Sequence, residues 1–302
     1  MSLPDRPFVT VVLCTCNRIQ DLPEAVEDLL AQTYGNHEVL IVDHNSTDGT
    51  AEYAQRKARE ERRVSFHNEP LRGLSHARNR GMGAARGGIV AYVDDDCRIP
   101  PGWLEALVKA YRETDAGGVG GPAKARLEGR PSWLVRELLR MSLIPGVYDR
   151  GPDRQEVDWL IGCNLSFRRD VLQTVGQFRG DLGAGSPRGL AGEEVDFCAR
   201  ALRAGARLVY EPGAWVWHKI PRRRQTLAYA LRFSYVVGMS NALIQRPVNR
   251  QAIRSLHPLK LLVNVAGAAG RLYARAVLRP AMRRELSSAA GAGGEDAGRD
   301  RA

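Results

Sequence analysis

Three consecutive aspartates, Asp94, Asp95 and Asp96 (the triple aspartate), directly follow the apolar run 88–93 of this 302-residue chain. Such a run predicts a strand buried on both faces, so the acids stand at the carboxyl edge of a sheet, where open α/β sheets place ligands. Adjacent carboxylates repel one another, and a hard divalent cation neutralises them. The pattern therefore predicts a metal site, although three residues alone leave a solvated acidic turn as the alternative.

Strand and helix signals alternate through the first half of the chain. Apolar runs at 9–14, 39–42, 64–67 and 89–93 predict four strands, with helical spacing between them. Strands separated by helices of this length imply a parallel sheet with right-handed crossovers. Asp43 ends the second strand at the same sheet edge, where we expect it to contact a base or ribose; capping of the next turn is the alternative.

The composition is that of a globular protein, with 44% hydrophobic and 26% charged residues. The N-terminus lacks a basic region followed by a sustained apolar segment, so we expect no secretory signal and a cytoplasmic location. Five cysteines, an odd number, predict neither a disulfide framework nor a metal knuckle. We expect them to be reduced and structural.

The positive charge is concentrated near the C-terminus. Residues 219–284 contain 14 Lys and Arg and no Asp or Glu, so with a formal net charge of +10 the rest of the chain carries −4. The uncharged centre of this segment, 261–270, is far shorter than the ~20 apolar residues of a spanning helix. We expect a basic helical extension lying peripherally on an anionic membrane, with a solvated helical subdomain as the alternative. The tail 285–302 is expected to be disordered.

Six motifs, in order, resemble family 2 glycosyltransferases over roughly residues 8–218. The motifs are Thr15 to Arg18, Val42 to Thr50, Gly73 to Gly81, the triple aspartate, Gly162 to Arg169, and Gly192 to Phe197. The resemblance implies a GT-A fold, which is an α/β fold with a mostly parallel central sheet flanked by helices. It places a glycosyltransferase domain at 1–218, with a nucleotide-sugar half at about 8–120 and an acceptor half at about 121–218. The basic helical extension, 219–284, would follow it.

The resemblance also implies how the donor and the metal are bound. Asp96 would be the direct ligand of Mg²⁺ or Mn²⁺, with Asp94 as a further candidate ligand, and Asp94 and Asp95 would face the ribose, the sugar or metal-bound water. Other positions match residues that line the nucleotide or lie near the donor, namely Thr15, Arg18, Asp43, Arg78 and Asn79. His218 matches a histidine that binds metal or diphosphate in some relatives, with a packed structural role as the alternative. Asn164 is expected to be an acceptor-site residue or part of a turn.

The catalytic base is expected at Glu193 or Glu194. Glu194 occupies the position of the family's base, which is usually Asp, and its longer side chain keeps Glu193 a candidate. One carboxylate is sufficient as general base, whereas a hydrolase would need a paired general acid. Without the resemblance, these acids would be read as a cluster that complements a helix dipole.

The activity that follows is inverting transfer of a sugar from a nucleoside diphosphate donor to an acceptor hydroxyl. We expect a saccharide or lipid-linked acceptor of cell-envelope polysaccharide biosynthesis, and no nucleic acid partner. His44 stands where many members carry a second Asp, so the donor's base is left open. Two alternatives are a non-catalytic nucleotide-sugar-binding protein and a sugar-nucleotide nucleotidyltransferase, although the latter would need a Gly-rich basic loop after the first strand.

Overall fold

The computed structural model describes residues 3–244, 258–279 and 281–282. The chain divides into two compact units, Met1–Leu227 and Ala228–Ala302. The tail 285–302, for which the sequence predicts disorder, lies outside the described residues.

The first unit alternates strands and helices, and β1 to β4 are the four strands that the apolar runs predict. Its elements are β1 (Val9–Thr15), α1 (Leu22–Leu30), β2 (His37–Asp43), α2 (Thr50–Glu60), β3 (Val64–Asn68), α3 (Leu74–Ala84), β4 (Ile89–Asp94), β5 (Cys97–Arg98), α4 (Trp103–Glu113), β6 (Gly118–Gly120), β7 (Ala123–Leu127), α5 (Trp133–Arg140), β8 (Gln155–Glu156), β9 (Asn164–Arg168), α6 (Arg169–Val175), α7 (Glu193–Arg203), β10 (Leu208–Tyr210) and β11 (Val216–Ile220).

The central sheet has eight strands in the order β3-β2-β1-β4-β9-β6-β10-β8. β1 pairs in parallel with β2 and β4, β2 with β3, and β6 with β10. β9 runs antiparallel between β4 and β6, and β8 is antiparallel to β10. The prediction of a mostly parallel sheet flanked by helices is therefore confirmed.

A second, three-stranded sheet has the order β5-β11-β7. β5 begins directly after the triple aspartate, and its antiparallel pairing with β11 sets His218 opposite Cys97. The backbone N–H of Lys219 also donates to the carbonyl oxygen of Asp96 at 3.1 Å. The pairing of β5 with β11 thus brings a histidine from far along the chain to the end of β4.

The sheet edge that carries the acids is anchored in the hydrophobic core. β1 and β2 are buried along their whole length, and β4 is buried up to Asp94. Each fully buried large apolar side chain favours folding by about 1.5–3 kcal/mol. Trp103 at the start of α4 is fully buried, and its indole N–H donates to Asn164 Oδ1 at 2.9 Å. This contact ties α4 to the beginning of β9.

The second unit consists mainly of α8 (Leu227–Ile244) and α9 (Pro258–Tyr273), which a π-helical turn at Ala274–Leu278 continues. A Cβ on Gly238 would collide with the carbonyl oxygen of Gly267, so the two helices pack with their backbones in contact. Among the described helices, α8 is long and apolar enough to cross a membrane by length and composition. A helix in a protein core meets the same criterion, so composition alone does not decide where α8 lies.

Candidate active site

The carboxyl ends of β1, β2 and β4 meet at one edge of the central sheet. The strand register pairs Thr15 with Asp43 and Cys14 with Asp94. Because parallel strands end together, the structure brings three of the predicted site residues, Thr15, Asp43 and Asp94, to the same edge.

Arg18 approaches the triple aspartate from the loop after β1. Its Nη2 lies 3.5 Å from Asp96 Oδ2, and its Nε lies 3.9 Å from Asp95 Oδ1. The other oxygens of these acids, Asp95 Oδ2 and Asp96 Oδ1, are buried without a hydrogen-bond partner in the described part of the chain. Buried polar atoms are costly when unpaired, so these two oxygens mark a place suited to a cation.

Burial and mutual repulsion shift the pKa values of the three acids in different directions. Burial, reinforced by Asp96, raises the pKa of Asp95 to about 8. Burial also raises the pKa of Asp94, although the Arg78 guanidinium opposes the shift. At Asp96 burial is outweighed by His218, and the pKa lies below its usual value. A divalent cation would favour the ionised form of all three acids, so this cluster fits such a cation.

His218 completes the cluster from β11. Its Nε2 lies 3.4 Å from Asp96 Oδ1, and its Nδ1 is 2.7 Å from the carbonyl oxygen of Gly146. Because a carbonyl oxygen only accepts, Nδ1 carries a proton and the ring presents Nε2 to the acids. Burial lowers the pKa of His218, but Cys163 and Asp96 outweigh it and raise the pKa to about 10.

Gly146 allows this approach of the histidine ring. A Cβ at this position would lie 2.5 Å from His218 Cε1, and the backbone φ of +85° belongs to the left-handed region that favours glycine. Sequence reasoning assigned no role to Gly146, because an isolated glycine in an irregular segment carries no signal of its distant partner.

A group of three side chains could hold a metal ion at this place. Asp94, Cys163 and His218 each offer one ligand atom, and these atoms lie within 4.8 Å of one another. Cys163 was not among the predicted ligands, although it stands in the Gly162 to Arg169 motif. The antiparallel pairing of β9 with β4, which sets Val93 opposite Asn164, brings Cys163 back to the end of β4.

Arg78 connects the two acidic motifs. Its buried guanidinium donates through Nη1 to Glu193 Oε1 at 2.6 Å and through Nη2 to the carbonyl oxygen of Gly162 at 2.8 Å. The same Nη2 lies 3.7 Å from Asp94 Oδ1. Since its three neighbours are all protein groups, Arg78 holds α7 against the end of β4. The place of Arg78 near the donor, which the resemblance implies, stays a prediction.

The two candidate bases differ in their surroundings. Glu193 is buried in its ion pair with Arg78. Glu194 is half-buried, and its carboxyl group lies close to Gly162. A Cβ added to this glycine would be 3.6 Å from the carboxyl carbon of Glu194. Burial, reinforced by the adjacent Glu193 carboxylate, raises the pKa of Glu194 to about 8. A carboxyl group with a pKa near neutrality suits a general base working near neutral pH, which is the role that the resemblance implies for Glu194.

Two other predicted contact residues are engaged by protein groups. The side-chain amide of Asn79 exchanges two hydrogen bonds of 2.8 Å with the backbone of Phe178. Asn164 is fully buried, accepts from Trp103 and donates to two backbone carbonyls at 3.1 and 2.7 Å. Both amides therefore fix loops and strands around the site; Asn164 is the first residue of β9, and its acceptor-site role stays a prediction.

Asp43 and Thr15 are paired in the β1–β2 register, and their side chains differ in their hydrogen bonding. The Asp43 carboxylate accepts from the backbone N–H of Ser46 at 3.1 Å and from the Ser46 hydroxyl. This is the turn-capping arrangement that the sequence analysis offered as the alternative. The hydroxyl of Thr15 is buried beside the Asp95 carboxylate, whose pKa it lowers, and it forms no well-aligned hydrogen bond among the described residues.

Two solved structures share this fold. A mannosyltransferase from Pyrobaculum calidifontis in complex with GDP-Man and Mn²⁺ superposes with a TM-score of 0.61 and 22% identity, over 95% of this chain and 80% of that one. Staphylococcus aureus TarS in complex with UDP gives a TM-score of 0.55 and 18% identity, over 82% and 66%. The chain thus has the GT-A glycosyltransferase fold.

Sequence comparison identifies the family. Residues 10–176 match the family described as Glycosyl transferase family 2. A glucosyl-dolichyl phosphate glucuronosyltransferase from Haloferax volcanii is 31% identical over 246 residues, which are 77% of this chain and 75% of the relative. The succinoglycan biosynthesis protein ExoM from Rhizobium meliloti is 27% identical over 269 residues, 87% of this chain and 81% of the relative.

The chain belongs to glycosyl transferase family 2. The resemblance that the six motifs indicated is confirmed, and the protein is a glycosyltransferase. This assignment favours the transferase over the nucleotidyltransferase and the non-catalytic binding protein.

Proposed function

We propose that the chain transfers a sugar from a nucleoside diphosphate donor to an acceptor hydroxyl, with inversion at the anomeric carbon. One observation carries the proposal: the unpartnered oxygens of Asp95 and Asp96 and the carboxylate of Glu194 are presented by neighbouring elements around the end of β4. The donor class is supported by the two solved relatives, which contain GDP-Man and UDP.

Asp96, Asp94 and His218 would hold Mg²⁺ or Mn²⁺ at the sheet edge. Such a cation supplies Lewis-acid stabilisation of the charge on a departing diphosphate. Carboxylates suit both ions, and the presence of Mn²⁺ in the Pyrobaculum structure supports this choice. Arg18 is partly exposed beside Asp96, and its guanidinium can contact diphosphate oxygens in the same place.

Glu194 accepts the proton of the acceptor hydroxyl as that oxygen attacks the sugar. General base catalysis by one positioned carboxylate typically contributes about 10²–10⁴-fold to the rate. Glu193 has a different task, because its charge is paired with Arg78 in the buried ion pair. Through that pair, Arg78 keeps the residue after Glu193 at a fixed place relative to the triple aspartate.

The acceptor is a saccharide linked to a lipid phosphate, at the cytoplasmic face of a membrane. The name of the Haloferax relative includes glucosyl-dolichyl phosphate, and ExoM takes part in succinoglycan biosynthesis. Within the second unit, α9 exposes Leu262, Val265 and Leu272, and the turn that follows exposes Arg275. Exposed apolar side chains with nearby arginines fit the surface of an anionic membrane.

A screen of nucleotide sugars by mass spectrometry, with lipid-linked saccharides as acceptors and with or without Mn²⁺, tests the proposal. We expect one donor to be consumed in a cation-dependent manner, and Glu194→Gln to abolish transfer while donor binding persists. Consumption of no donor, combined with no thermal stabilisation by any nucleoside diphosphate, would contradict it.

A further inference from the structure

We propose that Cys163 is a thiolate ligand of the cation site, so that the site binds Mn²⁺ in preference to Mg²⁺ and binds thiophilic cations more tightly than either. The inference rests on the proposed function, because it concerns the cation site of the same sheet edge.

The sheet register places the cysteine beside the first aspartate. β4 and β9 pair in antiparallel fashion from Ile89 with Arg168 to Val93 with Asn164. Cys163 immediately precedes β9, in a turn closed by the hydrogen bond from the backbone N–H of Asn164 to the carbonyl oxygen of Ile161 at 3.0 Å. Asp94 is the last residue of β4. Because the two strands are antiparallel, the residue that precedes β9 and the residue that ends β4 lie at the same edge of the sheet.

The position of this thiol is fixed from both sides. Cys163 is 4% exposed. The next residue, Asn164, is fixed by its hydrogen bonds to Trp103 and to two backbone carbonyls. The preceding Gly162 is held through its carbonyl oxygen by Arg78. Cys163 thus lies on a supported segment, which is what a metal ligand requires.

The distances among the donor atoms fit a shared ion. The ligand atoms of Asp94, Cys163 and His218 lie within 4.8 Å of one another. With metal–ligand bonds of about 2.0–2.3 Å, atoms that share one ion are about 3–4 Å apart, so small side-chain movements suffice. Asp96 Oδ1, in a residue only 8% exposed, forms no hydrogen bond among the described residues and lies 3.4 Å from His218 Nε2, so it faces the same place. A cation bound here would be within reach of this oxygen as well.

The donor atoms determine which cations the site prefers. A set made only of carboxylates suits Mg²⁺, whereas an imidazole with a thiolate favours Zn²⁺, Co²⁺ and Cd²⁺, and Mn²⁺ lies between the two groups. The thiol proton of Cys163 is released to solvent when the thiolate coordinates the ion. Cation binding should therefore release a proton that the variant without this thiol does not release.

Titration of the full, freshly reduced chain with Co²⁺ tests the assignment independently of activity. We expect a thiolate-to-cobalt charge-transfer band in the near ultraviolet that saturates at one ion per chain. Cys163→Ser should abolish the band and weaken Co²⁺ and Cd²⁺ binding by about 10- to 100-fold, while Mg²⁺ binding stays unchanged. The matched control is Cys97→Ser, since Cys97 is a buried thiol with its Sγ 3.8 Å from the carbonyl oxygen of Cys163. This control should keep the band.

The outcomes separate this inference from the proposed function. A wild-type chain that binds Co²⁺ without the band, and loses that binding in Asp96→Asn, would overturn the role of Cys163 and leave the cation site intact. A band that disappears in Cys97→Ser but persists in Cys163→Ser would overturn it as well. Failure to bind any divalent cation would overturn both proposals. Co²⁺ bound to the wild-type chain without the band is by itself sufficient to exclude a thiolate ligand, so this result does not depend on whether a variant folds.

Discussion

The paired substitutions Glu193→Gln and Glu194→Gln should separate folding from catalysis within two adjacent residues. Each exchange replaces a carboxylate by a neutral side chain of the same shape. Glu193 loses its charge inside a buried ion pair with Arg78, whereas Glu194 loses the carboxylate proposed as the general base. We therefore expect Glu193→Gln to act mainly on stability and Glu194→Gln mainly on the rate.

The expected sizes follow from the surroundings of each carboxylate. Breaking a buried ion pair by removing one partner costs about 3–5 kcal/mol. Arg78 keeps a carbonyl partner and Asp94 at 3.7 Å, so the lower value of about 3 kcal/mol applies, which lowers the Tm of a unit of this size by about 6–12 °C. Burial raises the pKa of Glu194 to about 8, so this side chain is mostly protonated at pH 7 and already resembles glutamine. Glu194→Gln should therefore change the stability by less than about 0.5 kcal/mol.

The rates should show the opposite order. Loss of the base lowers kcat by about 10²–10⁴-fold, which corresponds to about 3–5 kcal/mol of transition-state stabilisation. The assay combines thermal unfolding with transfer measured by mass spectrometry at saturating donor, and Glu193→Gln is assayed well below its own Tm. If Glu193→Gln kept the wild-type Tm and lost transfer while Glu194→Gln remained active, the assignment of the base would be wrong.

Three further predictions concern the base, the histidine and the second unit. Burial raises the pKa of Glu194 to about 8, and a general base must be deprotonated to act. We therefore expect kcat/KM to rise with pH and to level off above about pH 8. A profile that is flat below that pH would contradict this role. Gly146→Ala places a Cβ 2.5 Å from His218 Cε1 and should weaken Mn²⁺ binding in calorimetry by about 10-fold or more; unchanged affinity would refute the role of the histidine ring. The double variant Arg271→Glu and Arg275→Glu should lower co-sedimentation with anionic vesicles by 10-fold or more. The reason is that each basic residue near an anionic membrane contributes about 1 kcal/mol to binding. Equal binding by the variant and the wild-type chain would exclude this face of the second unit as a membrane-binding surface.

The site residues that the sequence predicts are those marked by a pattern among neighbouring residues. β4 and the triple aspartate follow from an uninterrupted apolar run that ends in acids, and Asp43 follows from the same pattern one strand earlier. Parallel pairing then brings both strand ends to one edge without further information. For this reason the sheet and its acidic edge could be predicted from the residues alone.

The remaining features depend on partners that are distant in sequence. Arg78 and Glu193 are 115 residues apart, so no local pattern distinguishes the paired glutamate from its neighbour. The place of Cys163 depends on β9 being antiparallel, a detail that an expectation of alternating parallel strands does not contain. The observed partners of Asn164 are a buried indole and two backbone carbonyls, all of which lie more than 40 residues away in the sequence, so no local pattern identifies them.

The second unit illustrates a different reason for a missed feature. The uncharged centre 261–270 is too short to span a bilayer, and this length led to the prediction of a peripheral helix. The longer apolar helix is α8, Leu227–Ile244, where a single arginine interrupts the uncharged residues. Because this arginine divides the uncharged residues of α8 into two shorter runs, a criterion based on uncharged runs does not identify the helix, although its length and composition are sufficient for a membrane span.

Calorimetric titration of nucleoside diphosphates tests most directly the proposal that the triple aspartate binds a cation together with a diphosphate. The wild-type chain and Asp96→Asn are each titrated with UDP, GDP and ADP, with and without Mn²⁺. We predict that one nucleotide binds the wild-type chain only when Mn²⁺ is present and that Asp96→Asn removes this binding. Equal binding with and without the cation, or binding that survives in Asp96→Asn, would contradict the proposed role of the triple aspartate.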